Sequence, residues 1–300
     1  MLGTIAPPFS DRRLALQLLA RSVRRPASAR DRINRHNLAA WRRWRGVHAT
    51  CNICGHTGTL RYELPDLATF ERHHIEPLRE TLRCRGCHAK MRDRVLAAGL
   101  LDALARRGVR ARTIDQLATR LPEHVTILDT DAHSRIAHRL RVAPGFHRSL
   151  YLPGRTNGEV LDDDRMRNVD LEQMPYPDGT FDIVITSEVM EHVRWVDRAH
   201  REIARCLKAD GTYLFTVPYD PALEHTWTLV DPETDRDLVD EPHVHGDPMI
   251  REKGIRSYRV FGRDIVDDLA GAGLDAEFTR VERPEAGIFG GDLFTAVPRA

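Results

Sequence analysis

Short apolar runs and longer helix-spaced patterns alternate through the second half of the chain. The runs predict strands at 124–129, 148–152, 167–170, 181–187, 211–218, 275–281 and 292–297. Helical spacing of the apolar positions predicts helices between them, at 133–141, 189–208 and 263–272. Such alternation favours an α/β fold in which a mostly parallel sheet carries helices on both faces.

The last two predicted strands are joined by RPEAGIFGG, residues 283–291, which is too short for a crossover helix. These two strands should therefore pair as an antiparallel hairpin. The expected sheet has seven strands and is mostly parallel, with an antiparallel last strand that gives it one reversed edge.

Composition divides the chain into three parts. We expect a basic helical arm over residues 1–46, a four-cysteine module with a linker helix over residues 47–110, and the main domain over residues 111–300. The linker helix is predicted by the continuous helical period of 92–108, which ends at Gly108.

Four of the five cysteines form two Cys-x-x-Cys pairs, and 29 residues separate the pairs. Four thiolates at this spacing favour a tetrahedral zinc site. A disulfide framework would suit a small secreted domain better, and a redox pair would not need a second copy. Because all four positions are filled, the zinc is expected to fold the module rather than to catalyse. The predicted ligands are Cys51, Cys54, Cys84 and Cys87.

The arm is strongly basic although the net charge of the chain is only +1. Between Asp11 and Arg45 there are eleven arginines and two aspartates, interleaved with leucines and tryptophans. Basic amphipathic helices suit an anionic partner such as nucleic acid, a membrane surface or an acidic glycan. The alternative is a solvated arm that packs Trp41 and Trp44 on the body.

No apolar run approaches the roughly 18 residues needed to span a bilayer. The N-terminus also lacks the order of charge, apolar stretch and cleavage site that marks a secretory signal. A cytoplasmic location is therefore expected, with an organelle transit peptide as the alternative for the arginine-rich start.

Residues 168–221 resemble the middle motifs of class I S-adenosylmethionine-dependent methyltransferases with a type 11-like domain. The matching positions are Asp170-Leu171, Met174 to Gly179, Phe181-Asp182, Glu188, Glu191 to Val193, Leu207-Lys208, Gly211 and Val217-Pro218. The four-cysteine module and two later segments, TWTLVDPETDR and RSYRVFGRDIVDDLAGAGL, resemble one branch of these enzymes. The resemblance implies a Rossmann-like methyltransferase domain over residues 111–300.

The resemblance also implies where the cofactor binds. In an open parallel sheet, ligands occupy the crevice outside the carboxyl ends of the strands. Asp170 would accept a hydrogen bond from the adenine amino group, with Leu171 against the ring, and Glu188 would lie near the methionine part. Alternatively, Asp170 only begins a turn and Glu188 only adds charge at a helix N-terminus. The expected cofactor-binding residues are Asp129, Asp131, Asp170, Leu171, Ser187 and Glu188.

Two positions depart from the family pattern. The turn after the first strand normally carries three glycines, whereas this chain has Asp131, His133 and Arg135 there. The second strand usually ends in an acidic residue that holds the ribose, whereas this one ends in Leu152-Pro153-Gly154. That contact is either missing or supplied from Asp162 to Asp164.

The first functional hypothesis is a methyltransferase that acts on a small molecule or a glycan. A base is needed only for a hard acceptor such as a hydroxyl, and the candidates are Tyr219, Asp220 and His225. The second hypothesis is an RNA methyltransferase that grips its substrate with the arm and the zinc module. The third is a methyltransferase-like binding or scaffold protein without activity.

Overall fold

The structure is a computed structural model that describes residues 41–63, 78–163, 165–245 and 254–299. The predicted basic arm falls on residues 1–46, and its first forty residues lie outside this set, as does the proposed anionic contact they would make. Among the described residues, no helix combines the length and the apolar character required to cross a membrane.

The N-terminal module is built from short strands and two helices. Its elements are β1 His48–Thr50, β2 Thr57–Thr59, β3 Arg61–Tyr62, α1 Leu78–Thr81, β4 Leu82–Arg83 and α2 Met91–Arg106. Strand β1 pairs with β2, and β3 pairs with β4, both antiparallel. Strand β1 ends directly before Cys51 and β4 ends directly before Cys84, so both cysteine pairs lie on the same small module.

The main domain follows with alternating strands and helices. Its strands are β5 Ile127–Asp129, β6 Phe146–Leu150, β7 Met166–Asn168, β8 Phe181–Ser187, β9 Leu207–Thr216, β10 Trp227–Thr228, β11 Val244–His245, β12 Ile255–Arg256, β13 Arg259–Val260, β14 Leu274–Arg283 and β15 Ile288–Pro298. Its helices are α3 Ile114–Ala118, α4 Arg135–Leu140, α5 Val196–Cys206 and α6 Ile265–Gly271.

Seven of these strands form one sheet in the order β14-β15-β9-β8-β5-β6-β7. Strands β5 to β9 run parallel, and β15 is antiparallel to both of its neighbours. The predicted seven-stranded sheet with an antiparallel last strand is thus confirmed. The reversed strand is not at the edge, however: the β14–β15 hairpin docks through β15 onto β9, and β14 becomes the edge strand.

Both faces of the sheet are buried, because successive residues of the central strands point into different cores. Ile183 and Ile185 of β8 join the core that contains α2, α3 and α4, while Val184 joins the core that contains α5 and α6. Continuous apolar runs are expected for strands that are covered on both sides.

The predicted helix at 189–208 is wrong in its first third. Only a 3₁₀ turn, Met190–His192, forms there, and α5 begins at Val196. The buried guanidinium of Arg259 explains the break, because it takes the carbonyls of Met190, Val193 and Arg194 that a continuous helix would use.

Helix α2 ties the module to the sheet. It lies so close to β15 that a Cβ added at Gly291 would come within 2.2 Å of Val95 Cγ2. The fully buried Arg94 donates to the carbonyls of Ala89, Leu82 and Gly287, at 2.8, 3.1 and 3.0 Å. Gly287 belongs to the turn between β14 and β15, so one side chain connects the module to the hairpin.

The two tryptophans at the start of the described chain also pack on the body. Trp41 and Trp44 lie against the core, and the Trp44 ring is 5.0 Å from that of Phe289 between centroids. This contact agrees with the packing alternative for the end of the arm.

Candidate functional site

The strand order has a switch point between β5 and β8, and a ligand crevice is expected there. From β5 the chain builds outward through β6 and β7, then returns to place β8 on the other side of β5. At such a switch point the loops after the two central strands diverge and leave room for a ligand. Asp129 is the last residue of β5 and Ser187 the last residue of β8, and Thr130 and Glu188 follow them directly. Three of these four residues, all but Thr130, are predicted to bind the cofactor.

The glycine-free loop after β5 is held by its own side chains. Asp129 is fully buried; its Oδ1 accepts from the Asp131 amide at 3.0 Å and its Oδ2 accepts from the Ser134 hydroxyl at 2.6 Å. The same Ser134 oxygen accepts from the Ala137 amide and caps α4, and Asp131 accepts from the His133 amide. Side-chain acceptors at a helix start satisfy amides that the helix leaves unbonded.

Burial and charge shift the acidity of this loop. Burial raises the pKa of Asp129 to about 8, and the neighbouring Asp131 charge pushes it in the same direction. Burial also raises the pKa of Asp131. The carboxyl of Asp129 therefore holds a proton over much of the neutral range, which removes a buried negative charge from the crevice.

Two buried hydroxyls at the crevice have no hydrogen-bond partner within the described part of the chain. They belong to Thr130 and Thr216, at the carboxyl ends of β5 and β9. The Thr130 amide donates to Ile185 of β8 at 3.0 Å, which places this residue between the two central strands. A buried hydroxyl left unsatisfied costs free energy, so these positions suit a polar ligand.

The module reaches into the crevice through two arginines. Arg79 donates to the Glu188 carboxylate, and Arg92 Nη1 donates to Ser187 Oγ at 2.8 Å. Glu188 has a φ of +54°, in the left-handed region that non-glycine residues rarely adopt. Strain of this kind is often found at functional sites.

The sequence patterns did not single out Arg79, Glu80 or Arg92. The nearest signal was the basic run after the second cysteine pair, CRGCHAKMRDR, which was assigned only to the module and the linker helix. Helical periodicity cannot show that an arginine in the first turn of α2 contacts the end of a strand almost a hundred residues away.

Asp170 and Leu171 follow β7, at the same edge of the sheet. Asp170 Oδ1 accepts from the Glu172 amide at 2.9 Å and caps the 3₁₀ turn Leu171–Gln173. Leu171 is buried under that turn. Asp170 therefore begins a turn, as one of the two interpretations expected. Its contact with the adenine stays a prediction.

Among the described acidic residues, Asp162 and Asp163 do not lie at the carboxyl end of β6. Both accept from Arg148, at 3.4 and 2.8 Å, at the β7 end of the connection that joins β6 to β7. After β6 comes Tyr151, which is 61% exposed. Asp164 lies outside the described residues.

The four cysteines of the module come together as their spacing predicts. Their sulfur atoms all lie within 4.8 Å of one another. Cys51 Sγ and Cys87 Sγ are 3.8 Å apart, and Cys54 Sγ and Cys84 Sγ are 3.7 Å apart. Four sulfurs at about 2.3 Å from a tetrahedral zinc ion would be separated by about 3.8 Å. The arrangement therefore fits zinc; no disulfide joins these residues.

The comparison with protein families adds the decisive observation. Residues 110–215 match the family model described as "Methyltransferase domain". Residues 110–215 are thus similar to a methyltransferase domain, and the seven-stranded sheet they help to form has the Rossmann-like arrangement expected of one. The predicted resemblance is thereby confirmed.

Individual relatives of the methyltransferase domain are distant. The uncharacterized methyltransferase YcgJ of Bacillus subtilis (strain 168) is 40% identical over 68 residues, which are 20% of this chain and only 27% of that relative. A solved S-adenosylmethionine-dependent methyltransferase from Mesorhizobium loti is 20% identical, with 61% of this chain and 96% of that chain covered and a TM-score of 0.37. The solved YcgJ protein is 15% identical, with 62% and 98% covered and a TM-score of 0.36.

The three predicted catalytic residues lie on the segment after β9, in different surroundings. The Tyr219 ring packs on Phe278 and Phe294, and burial raises its pKa. Asp220 accepts from the Ala222 amide at 2.9 Å. His225 is 81% exposed, and its Nδ1 lies 3.5 Å from Asp264 Oδ2. The structure does not bring these three side chains to one point.

Proposed function

We propose that this chain transfers a methyl group from S-adenosylmethionine to a small molecule or a glycan. The observation that carries the proposal is the crevice at the β5–β8 switch point, where the buried Thr130 hydroxyl has no partner within the described ranges. A crevice of this kind in a methyltransferase-family domain suits a nucleotide-like ligand with several polar groups.

The cofactor, when bound, supplies a methyl group on a sulfonium that an acceptor displaces in line. The work of this chain is then to position the two reactants and to keep water out. Asp170 and Leu171 hold the adenine side, and Ser187 and Glu188 lie at the methionine side. Thr130 and the loop of Asp129 and Asp131 form the floor between them.

The surroundings of the three catalytic candidates suggest separate roles. Because burial raises the pKa of Tyr219, its phenol keeps its proton near neutral pH and serves as a hydrogen-bond donor rather than as a base. His225 has Asp264 beside it, the kind of carboxylate that orients a basic imidazole. We assign His225 as the base where the acceptor is a hydroxyl; Tyr219 packs on Phe278 and Phe294 and is not part of the same group.

The contacts of the module favour a slender acceptor. Arg79 and Arg92 cross from the module onto Glu188 and Ser187, so the module covers the end of β8 beside the expected cofactor. A site covered in this way suits a small molecule or the end of a glycan better than a folded RNA. A zinc ion held by the four cysteines would have all four positions filled, and its role would be to keep the module folded.

A methyl-transfer assay tests the proposal. The protein is incubated with S-adenosylmethionine labelled in the methyl group and with cell extract that has been fractionated into small molecules, glycans and RNA. Label in the small-molecule or glycan fraction is the expected result. Nuclease-sensitive label in RNA would favour the RNA hypothesis instead, and no transfer to any fraction would favour the inactive binding protein. The thiolate cluster also suits a reducing compartment, so the cytoplasm stays the predicted location.

A further inference from the structure

A contact within the N-terminal module holds the Arg92 side chain in one orientation. Its Nε and Nη2 donate to the two oxygens of Glu80, at 2.8 and 3.4 Å, and Lys90 Nζ donates to the same carboxylate at 2.5 Å. The Arg92 side chain is only 13% exposed. A bidentate guanidinium–carboxylate pair fixes direction as well as charge, so Glu80 aims the outer edge of Arg92 at the crevice.

That outer edge has hydrogen-bonding capacity left. A guanidinium carries five N–H groups, of which three donate to Glu80 and Ser187. The other two have no partner in the described part of the chain. Ser187 is the last residue of β8, so the Nη1 group that donates to it lies at the strand end where the methionine part of the cofactor is expected.

The charges around this point are of both signs. Arg92 and Arg79 bring positive charge from the module, while Glu188 and Asp131 bring carboxylates from the main domain. An α-amino acid group also carries both signs, a carboxylate and an ammonium. The crevice therefore presents complementary partners for each end of such a group.

We propose that Arg92 of the zinc module binds the carboxylate of the methionine part of S-adenosylmethionine. The inference rests on the proposed function and adds a residue from outside the methyltransferase domain to the cofactor site. The cofactor site is then complete only when the module is folded and docked. The competing explanation is that Arg92 merely fastens the module to β8.

Two ligands that differ by one group separate these explanations. S-adenosylmethionine and decarboxylated S-adenosylmethionine share the adenosine, the sulfonium and the amino group, and only the first has the carboxylate. Their dissociation constants are measured by calorimetry for the wild-type chain, Arg92→Met and Arg92→Lys. Arg106→Met is the matched control, since Arg106 is an exposed arginine in the last turn of the same helix, about 21 Å away.

Arg92→Met should weaken S-adenosylmethionine binding by roughly 10- to 100-fold, the range for a lost charge-assisted hydrogen bond. The decarboxylated ligand should change by less than about threefold, so the preference for the carboxylate collapses. Arg106→Met should leave both constants unchanged. Equal weakening of both ligands, or of neither, would show that Arg92 is only a fastening and would overturn the inference.

Arg92→Lys is a second variant, used in case Arg92→Met does not fold. It keeps the positive charge but loses the paired N–H donors of the guanidinium, so a smaller, still selective loss of S-adenosylmethionine affinity is expected. A ratio of the two constants equal to that of the wild type would contradict the inference. If the wild-type chain binds neither ligand, the proposed function itself fails, which is a different result from any of these.

Discussion

The hydroxyl of Ser134 donates to Asp129 across the turn from β5 to α4, at 2.6 Å. Three glycines are usual in this turn. Here the side chains of Asp129, Asp131 and Ser134 accept hydrogen bonds from backbone amides instead, and Ser134 also donates to Asp129. The loop is shaped by Asp129, Asp131 and Ser134 rather than by backbone freedom. The absence of glycine is therefore compatible with an ordered cofactor crevice.

The ordered loop predicts how a glycine at position 131 changes ligand affinity. Asp131→Gly removes the acceptor for the His133 amide and adds backbone freedom, so S-adenosylhomocysteine should bind several-fold more weakly, by roughly 1 kcal/mol. Calorimetric titration measures the change. His133→Gly is the control, because the exposed His133 side chain accepts nothing in the turn. Tighter binding by Asp131→Gly would show that the side chain obstructs the ligand.

Asp129 predicts a pH dependence of stability. Its pKa is raised to about 8 from 3.8, so between these values the folded chain binds the proton that the unfolded chain has released. The free energy of unfolding should therefore fall as pH rises through the range from about 4 to about 8. Buried Glu191, whose pKa burial also raises, acts in the same direction.

Asp129→Asn keeps an oxygen for the Asp131 amide and removes the ionisation. It should flatten that fall and gain roughly 2 kcal/mol or more over the wild type at pH 9. Denaturant titrations at pH 5, 7 and 9 measure this. The control is Asp197→Asn: the pKa of Asp197 is lowered, so its contribution changes only in acid. An unaltered slope in Asp129→Asn would contradict this account of the loop.

The cysteine geometry predicts about one zinc ion per chain. Cys84→Ser should lose the metal, and the module should lose its fold, because binding of a structural zinc is coupled to folding. Elemental analysis and protease sensitivity of residues 47–110 check both. Cys206→Ala, which removes the buried cysteine of α5, should keep the metal. Full zinc content in Cys84→Ser would show that the cluster is not the site.

Arg94 predicts a strong link between module and sheet. Arg94→Met leaves three buried carbonyls without their donor and should lower the free energy of unfolding by roughly 3 kcal/mol or more. Chemical denaturation measures it against Arg106→Met, which should change stability by less than about 0.5 kcal/mol. A loss as small as that of the control would show that the carbonyls find other partners.

The fold could be predicted wherever the spacing of apolar residues stays constant along a whole helix or strand. The alternation of apolar runs was sufficient for the seven strands of the main sheet but not for the eight short strands that the structure describes outside it, and the two Cys-x-x-Cys pairs were sufficient for the four-sulfur cluster. The predicted helix at 189–208 begins too early, because a single distant residue, Arg259, binds the carbonyls of what would be its first turns. The position of the reversed strand depended on how β15 docks on β9, which no local pattern records.

The site was predicted only in part for the same reason. Asp129, Ser187 and Glu188 follow apolar strands, and strand ends in a parallel sheet meet at one edge. Arg79 and Arg92 belong to another module, and their contacts with Glu188 and Ser187 depend on how that module packs. Sequence spacing within either module carries no information about that packing.

The central claim is that this crevice binds S-adenosylmethionine. Its most direct test is a calorimetric titration of the purified full chain, with zinc present, using S-adenosylhomocysteine. We expect saturable binding of one ligand per chain, together with a rise in Tm, and a loss of affinity in Asp170→Ala. The absence of both heat and a thermal shift at millimolar ligand would contradict the claim.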